Sequence, residues 1–381
     1  MIGSKKVAVL MIVKNESAVI TRALNSVAAV ADLIVISDTG STDNTLELIR
    51  GWGANNMIPV SLSEDAWHNF AFNRNVVLNN FYTAVTDTRD WLALSLDADD
   101  VFVMGTEDLS LSNPWANAIS VSYKLGELEY QRVSIIADTK NWKWEAPVHE
   151  YLSYTGDKTT LVHGSLVNGY VQASSSEGAR SQDPYKYAKD ADVLAEIVDN
   201  DPSDTRSTFY LARSVHDHFK PSGDPDFLTA AIAAYRLRVT MTTTDTETFP
   251  EEKWYAQYMV ASLTNDLQGM IDVCGLRPWR VEAALECSRI AELKGDKGTA
   301  FTYALLATVT KRPKPTDILF VDTSVYGWRA LERLGVIAYY IEMYQVGLAA
   351  LDECLDMYIA DIPETDLRRI EKNRRYYLDK L

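Results

Sequence analysis

The chain has 381 residues, 47% apolar and 24% charged, with a net charge of −16, which is an ordinary globular composition with room for two or three cores. The charge divides evenly, −8 over residues 1–180 (13 basic, 21 acidic) and −8 over the remainder (24 basic, 32 acidic), so no basic stripe marks a nucleic-acid surface and no nucleic-acid partner is expected. No run approaches about 18 apolar residues, so no membrane span is expected either.

The first 180 residues or so alternate strands and helices. Lys5 and Lys6 precede a short apolar run, as in a signal peptide, but Lys14-Asn15-Glu16 follows directly where small residues would mark a cleavage site, so Val7–Val13 is read as a strand buried on both faces. A helix over 17–24 follows, with Ser17 as its N-cap. A second strand, Leu33–Ser37, ends at Asp38. The turn Thr39-Gly40-Ser41-Thr42-Asp43 then leads into a helix over Asn44–Trp52. Ile58–Leu62 is a short third strand, Phe70–Phe81 a helix and Trp91–Leu96 a fourth strand. This order predicts an α/β sheet that takes ligands at the carboxyl ends of its strands, where Asp38 and Asp97 stand.

From about Asp183 the strand signals stop. Helical periodicity runs through 185–198, 203–219, 227–240, 251–265, 281–293, 300–309, 326–343, 346–357 and 366–381,. Pairs recur at about 35 to 45 residues, with small and aromatic residues at the seams, the pattern of stacked helical hairpins and most like the tetratricopeptide repeat. The reading is therefore two domains, 1–182 and 183–381. Cys274, Cys287 and Cys354 are odd in number and far apart, which predicts buried thiols and a cytoplasmic protein.

The fourth strand closes on Asp97-Ala98-Asp99-Asp100. Like charges so close resist desolvation and call for a cation. A hard divalent ion, Mn²⁺ or Mg²⁺, prefers such oxygen ligands and shares its coordination with phosphates. Lys14 and Arg74 are cations placed to pair a phosphate. Arg180, in the polar stretch Ala173–Gln182, is placed to act from a loop closing on one. Trp142 and Trp144 carry aromatic faces that either stack on the apolar C–H surface of a ligand or pack in the core.

The run from Val9 to Ile49, together with 67–75 (WHNFAFNRN), Asp97-Ala98-Asp99 and Pro147-Val148-His149-Glu150, resembles the family 2 glycosyltransferases of GT-A fold. The second half resembles the repeat region of members that carry tetratricopeptide repeats. The resemblance implies a metal-dependent, inverting transfer of a sugar from a nucleotide-sugar, a UDP-sugar by family likeness, to a hydroxyl acceptor such as a glycan or a protein. It implies that Val13, Lys14, Asn15, Glu16 and Asp38 line the nucleoside, with Asn73, Arg74, Asp97 and Ala98 nearby. Asp97 and Asp99 are the implied DxD metal ligands, completed by His163 or, as competitor, His149. Glu150 is the implied general base, though this chain has His149-Glu150 where many members have Glu-Asp. The helical half would present the acceptor, a peptide or a partner protein. A scaffold that binds a nucleotide-sugar without catalysis is the alternative, and the joint presence of Asp38, Asp97, Asp99 and Glu150 argues against it.

Overall fold

The computed structural model describes residues 1–126, 128–137, 139–174, 177–241, 250–310, 314 and 317–381. The chain divides into two compact units, Met1–Val193 and Leu194–Leu381. The division falls inside a helix, α4 below, rather than at Asp183.

The first unit opens as the apolar runs dictate. β1 (Lys6–Val13), α1 (Ile20–Val27), β2 (Leu33–Asp38), α2 (Thr45–Asn56), β3 (Val60–Glu64), α3 (Phe70–Ala84) and β4 (Trp91–Ser95) alternate in order. β1 and β2 are buried along almost their whole length, which is why they read as continuous apolar runs. α1 begins three residues later than its pattern implied. Ser17 does not cap it: the Ser17 amide donates to Asp43 Oδ2, and Val19 holds the cap position.

Seven more strands follow, none of them marked by the alternation of strand and helix. They are β5 (Val101–Met104), β6 (Ser110–Leu111), β7 (Ala118–Leu125), β8 (Leu128–Ile136), β9 (Trp142–Glu145), β10 (Tyr151–Tyr154) and β11 (His163–Gln172), and α4 (Lys186–Asn200) comes after them. The main sheet runs β3-β2-β1-β4-β8-β7-β11-β5. Its first four strands are parallel. β8 is antiparallel to β4 and to β7, while β11 runs parallel to β7. The chain grows from β1 out to β3 and then returns to the other side of β1 with β4. The carboxyl ends of β1 and β4 thus flank a topological switch point, where such sheets leave a crevice.

Among its described residues the second unit holds the end of α4, a two-residue strand, a short turn of 3-10 helix, and α5 (Thr205–Ser222), α6 (Pro225–Thr240), α7 (Pro250–Leu263), α8 (Leu267–Leu276), α9 (Val281–Leu293), α10 (Lys297–Val309), α11 (Trp328–Tyr339), α12 (Tyr344–Tyr358) and α13 (Glu364–Leu378). α8 escaped the periodicity, because its ten residues bury only Met270, Val273 and Cys274. Small side chains set the close spacing of these helices: Ala283, Ala291, Ala300, Ala304 and Ala338 are all fully buried. At Gly335 a Cβ would stand 2.3 Å from Cδ2 of Leu351. All three cysteines are free and buried. No helix among the described residues is long and apolar enough to cross a membrane.

Candidate active site

The loops after β1 and β2 brace each other. Asn15 takes a left-handed backbone (φ 57°), its amide donates to Ser41 Oγ, and its Oδ1 accepts from the Thr42 amide. Val13 is buried and its carbonyl accepts from the Thr39 amide. The Glu16 amide donates to Thr45 Oγ1. Lys14 is exposed beside them. Asp38, 2% exposed, accepts through Oδ2 from the amides of Gly40 (3.1 Å) and Ser41 (2.9 Å). Its Oδ1 is buried and has no hydrogen-bond partner among the described residues. A buried acceptor without a donor is costly, so this atom is a place for a ligand's N–H or O–H.

At the end of β4 the carboxylates are held in unlike ways. Asp97 meets Arg74 Nη2 through Oδ1 (2.5 Å) and Arg132 Nη2 through Oδ2 (3.3 Å). Burial opposes its charge, yet the two guanidiniums outweigh it and hold the carboxyl well below the usual range,. Asp99 has no such partner: desolvation first, then Asp97, pushes it up. Asp100 is raised to about 7 by burial and by Asp97, with Oδ1 accepting from the Ser174 amide. Glu16 is also raised to about 7, by desolvation and by Asp99, Asp43 and Asp97, against the lowering effect of the Ala179 amide. Ala98 is buried between the two aspartates.

The described part of the polar stretch beyond β11 lies along this cluster; Ser175 and Ser176 fall outside the described residues. A Cβ at Gly178 would meet Asp99 Oδ2 at 2.4 Å. Glu177 pairs with Arg22, whose Nη2 donates to the Asp99 carbonyl. Arg180 pairs with Asp190, and its guanidinium lies 4.3 Å from the centre of the Phe70 ring.

Arg74 is nearly inaccessible at 6%. Its Nε donates to Glu150 Oε1 at 2.7 Å, its Nη1 to Ser95 Oγ at 3.2 Å, and it packs over the Trp144 ring. It is therefore an internal clamp and not a surface cation awaiting a phosphate. Asn73 is equally internal: its amide bonds the His68 N–H and the Ala66 carbonyl, shaping the loop before α3. Asn69 caps that helix by accepting from the Phe72 amide. Trp142 and Trp144 are both buried, so neither offers a face to a sugar.

His163 opens β11, whereas Ser174, just past the other end of that strand, bonds Asp100. The register against β7 runs from His163 beside Ala118 to Gln172 beside Lys124, with an irregularity after Ser165, so at ~3.3 Å per residue His163 lies roughly 20 Å along the sheet from the Asp100 end of the strand, and the structure does not bring it to the carboxylates. His149 stands next to Glu150 with a left-handed backbone (φ 53°). No group of three or more His, Cys, Asp and Glu among the described residues forms a ready-made metal cage. Asp97, with both oxygens in ion pairs, is poorly placed as a ligand. The carboxyls of Asp99 and Glu16 do fit a divalent ion of the kind held by one or two carboxylates plus substrate phosphates, because they crowd together short of positive charge.

Arg132 has no counterpart among the residues singled out in the sequence. It sits in β8, beside Val121 of β7, and reaches Asp97 only through the sheet register.

Residues 8–105 match the family described as Glycosyl transferase family 2. An uncharacterized glycosyltransferase of Rickettsia prowazekii is 32% identical over 104 residues, 27% of this chain and 31% of the relative. One from Rickettsia bellii is 33% identical over 97 residues, 26% of this chain and 29% of the relative. The chain thus spans under a third of the length of these curated relatives. Among solved structures, S. aureus TarS 1–349 in complex with UDP overlaps 76% of this chain and 92% of its own, at 15% identity and TM-score 0.34. A thermophilic TPR protein of Thermus thermophilus overlaps 49% of this chain and 90% of its own, at 13% identity and TM-score 0.26. The segment that matches family 2 glycosyltransferases, residues 8–105, lies in an α/β unit, and a mainly helical unit follows it in the chain.

Proposed function

We propose that the chain is a glycosyltransferase that takes a UDP-sugar in the crevice at the ends of β2, β1 and β4 and moves the sugar to a hydroxyl acceptor with inversion. The observation that carries this reading is the row of acidic groups across three neighbouring strand ends: Asp38 with its unmatched buried oxygen, Glu16, then Asp99. A nucleobase N–H supplies the donor that Asp38 Oδ1 lacks. A divalent ion bound by Asp99, with Glu16 beside it, would offset the charge that develops on the leaving diphosphate.

Glu150 is the base. Arg74 fixes Oε1, which leaves Oε2 to take the proton from the acceptor hydroxyl. The acceptor oxygen then bonds the anomeric carbon as the carbon–oxygen bond to the diphosphate breaks, and the electron pair leaves with the diphosphate. A single displacement of this kind inverts the anomeric centre. The helical unit presents the acceptor or its carrier.

The test is release of UDP from a panel of UDP-sugars by the full chain, in Mn²⁺ and in EDTA. Release in Mn²⁺ only is expected. Equal release in both rules out the metal, and release with neither rules out the donor.

A further inference from the structure

The reading above leaves the transferred sugar without a recognition site, and Arg132 is placed to supply one. Strand pairing fixes where it stands. Ile135 of β8 faces Leu94 of β4 and the strands are antiparallel, so β8 runs back past the end of β4 and Arg132 meets Asp97 there at 3.3 Å. From β2 to β8 the order is β2-β1-β4-β8. Three steps at ~4.8 Å put Arg132 about 14 Å across the sheet from the level of Asp38. An extended nucleoside diphosphate sugar is of that order in length. With its base at Asp38 and its phosphates at Asp99, its sugar comes to β8.

The guanidinium is held rigidly for such a task. Nε donates to Ser134 Oγ (3.2 Å), while Nη2 donates to Tyr123 OH (3.0 Å) and Asp97 Oδ2 (3.3 Å). The plane rests 4.2 Å from the centre of the Tyr123 ring, and that ring is itself fully buried. Nη1 has no hydrogen-bond partner among the described residues. The side chains of Arg132 and Asp97 are 33% and 32% exposed, against 6% for Arg74. One anchored donor and one anchored acceptor thus stand side by side, both reachable.

We propose that Arg132 is a specificity-determining residue, which with Asp97 reads two neighbouring hydroxyls on the transferred sugar of the donor. A hydroxyl donates to the Asp97 carboxylate, and its neighbour accepts from Arg132 Nη1. The charges choose the class of sugar. Arg74 and Arg132 are offset by Asp97 and Glu150, and Asp99 lies next to them, so among the described residues no cation of this cluster is left to neutralise an acidic sugar. The site takes a neutral hexose or N-acetylhexosamine and disfavours a hexuronate. This inference rests on the donor reading above.

The test is calorimetry on the full chain in Mn²⁺ with UDP, UDP-glucose, UDP-galactose, UDP-N-acetylglucosamine and UDP-glucuronate. For the neutral donor that wild type holds most tightly, Arg132→Gln loses about tenfold or more in affinity, as befits a directed hydrogen bond left unmade. UDP affinity stays within about twofold, which also shows that the variant is folded. Arg132→Lys keeps the charge beside Asp97 but not the fork, and gives the same selective loss, smaller in size. Equal weakening of UDP and UDP-sugar, or no weakening of either, overturns the assignment. So does a wild-type preference for UDP-glucuronate. Failure of wild type to bind any of the five compounds overturns the donor reading together with this one.

Discussion

Arg74 Nε donates to Glu150 at 2.7 Å while Nη2 of the same guanidinium meets Asp97 at 2.5 Å. The candidate base and the carboxylate that closes β4 therefore hang from one buried cation. Coulomb attraction at low exposure makes such a pair costly to break from one side, because the remaining charges stay buried. Arg74→Gln should destabilise the first unit by about 3–5 kcal/mol, read by chemical denaturation. A loss under 1 kcal/mol, the range of an exposed pair, would show that the clamp is loose.

Glu150→Gln keeps the shape and one hydrogen-bond acceptor but cannot take a proton. Turnover should fall by at least ~100-fold, with UDP-sugar affinity nearly unchanged, since the base acts on the acceptor. Equal losses in affinity and turnover would move Glu150 into the donor site.

Asp99 and Asp97 should separate by phenotype. Asp99→Asn is expected to cut Mn²⁺-dependent UDP release at least ~10-fold and to weaken the Mn²⁺ requirement. Asp97→Asn leaves the ion site but unbalances Arg74 and Arg132, so its Mn²⁺ titration midpoint should stay near that of wild type. Identical shifts in both titrations would count against the division of roles.

Glu16 gives a pH dependence of definite sign. Its folded-state value, about 7, lies above its ordinary 4.5, so between these limits the folded chain binds more protons than the unfolded one. Stability contributed by Glu16 is then fully present below pH 4.5 and lost as pH rises through 7. In EDTA, melting temperature should decline from pH 5 to pH 8, and Glu16→Gln should flatten the decline. An unchanged slope in the variant would place the titration elsewhere.

In the helical unit, Gly335 lets α11 pack directly on Leu351, which is fully buried and cannot move aside. Gly335→Ala should overpack this seam at a cost of about 1–3 kcal/mol while leaving UDP affinity untouched. Wild-type stability would mean that the spacing of α11 and α12 is less fixed than the glycine implies.

How far the site was legible follows from how local each feature is. Asp38 and Asp97-Ala98-Asp99 announce themselves because each closely follows a buried apolar run, and a parallel sheet lines up such ends, whereas Glu16 was reached only through the family resemblance. The helical half was legible because seams of small residues recur along it. Arg132 was not: in Tyr130-Gln131-Arg132-Val133-Ser134 it looks like any outward residue of an alternating strand, and only the β4–β8 register carries it 35 residues back to Asp97. Arg74 misled for the same reason, since its partner at 150 is chosen by tertiary packing, whereas Asn73 turns back on its own loop at 66–68. His163 failed on strand direction, which spacing along a chain does not encode.

The most direct measurement of the central claim is calorimetric titration of UDP into the full chain in Mn²⁺, beside Asp38→Asn. Asparagine can keep the bonds to Gly40 and Ser41 through its oxygen, but it turns an N–H toward the nucleobase where Oδ1 stood. UDP should bind wild type and lose about 1–3 kcal/mol, roughly 5- to 150-fold, in the variant. No heat of binding with wild type, or equal affinity in the two proteins, would contradict a nucleotide seated at the end of β2.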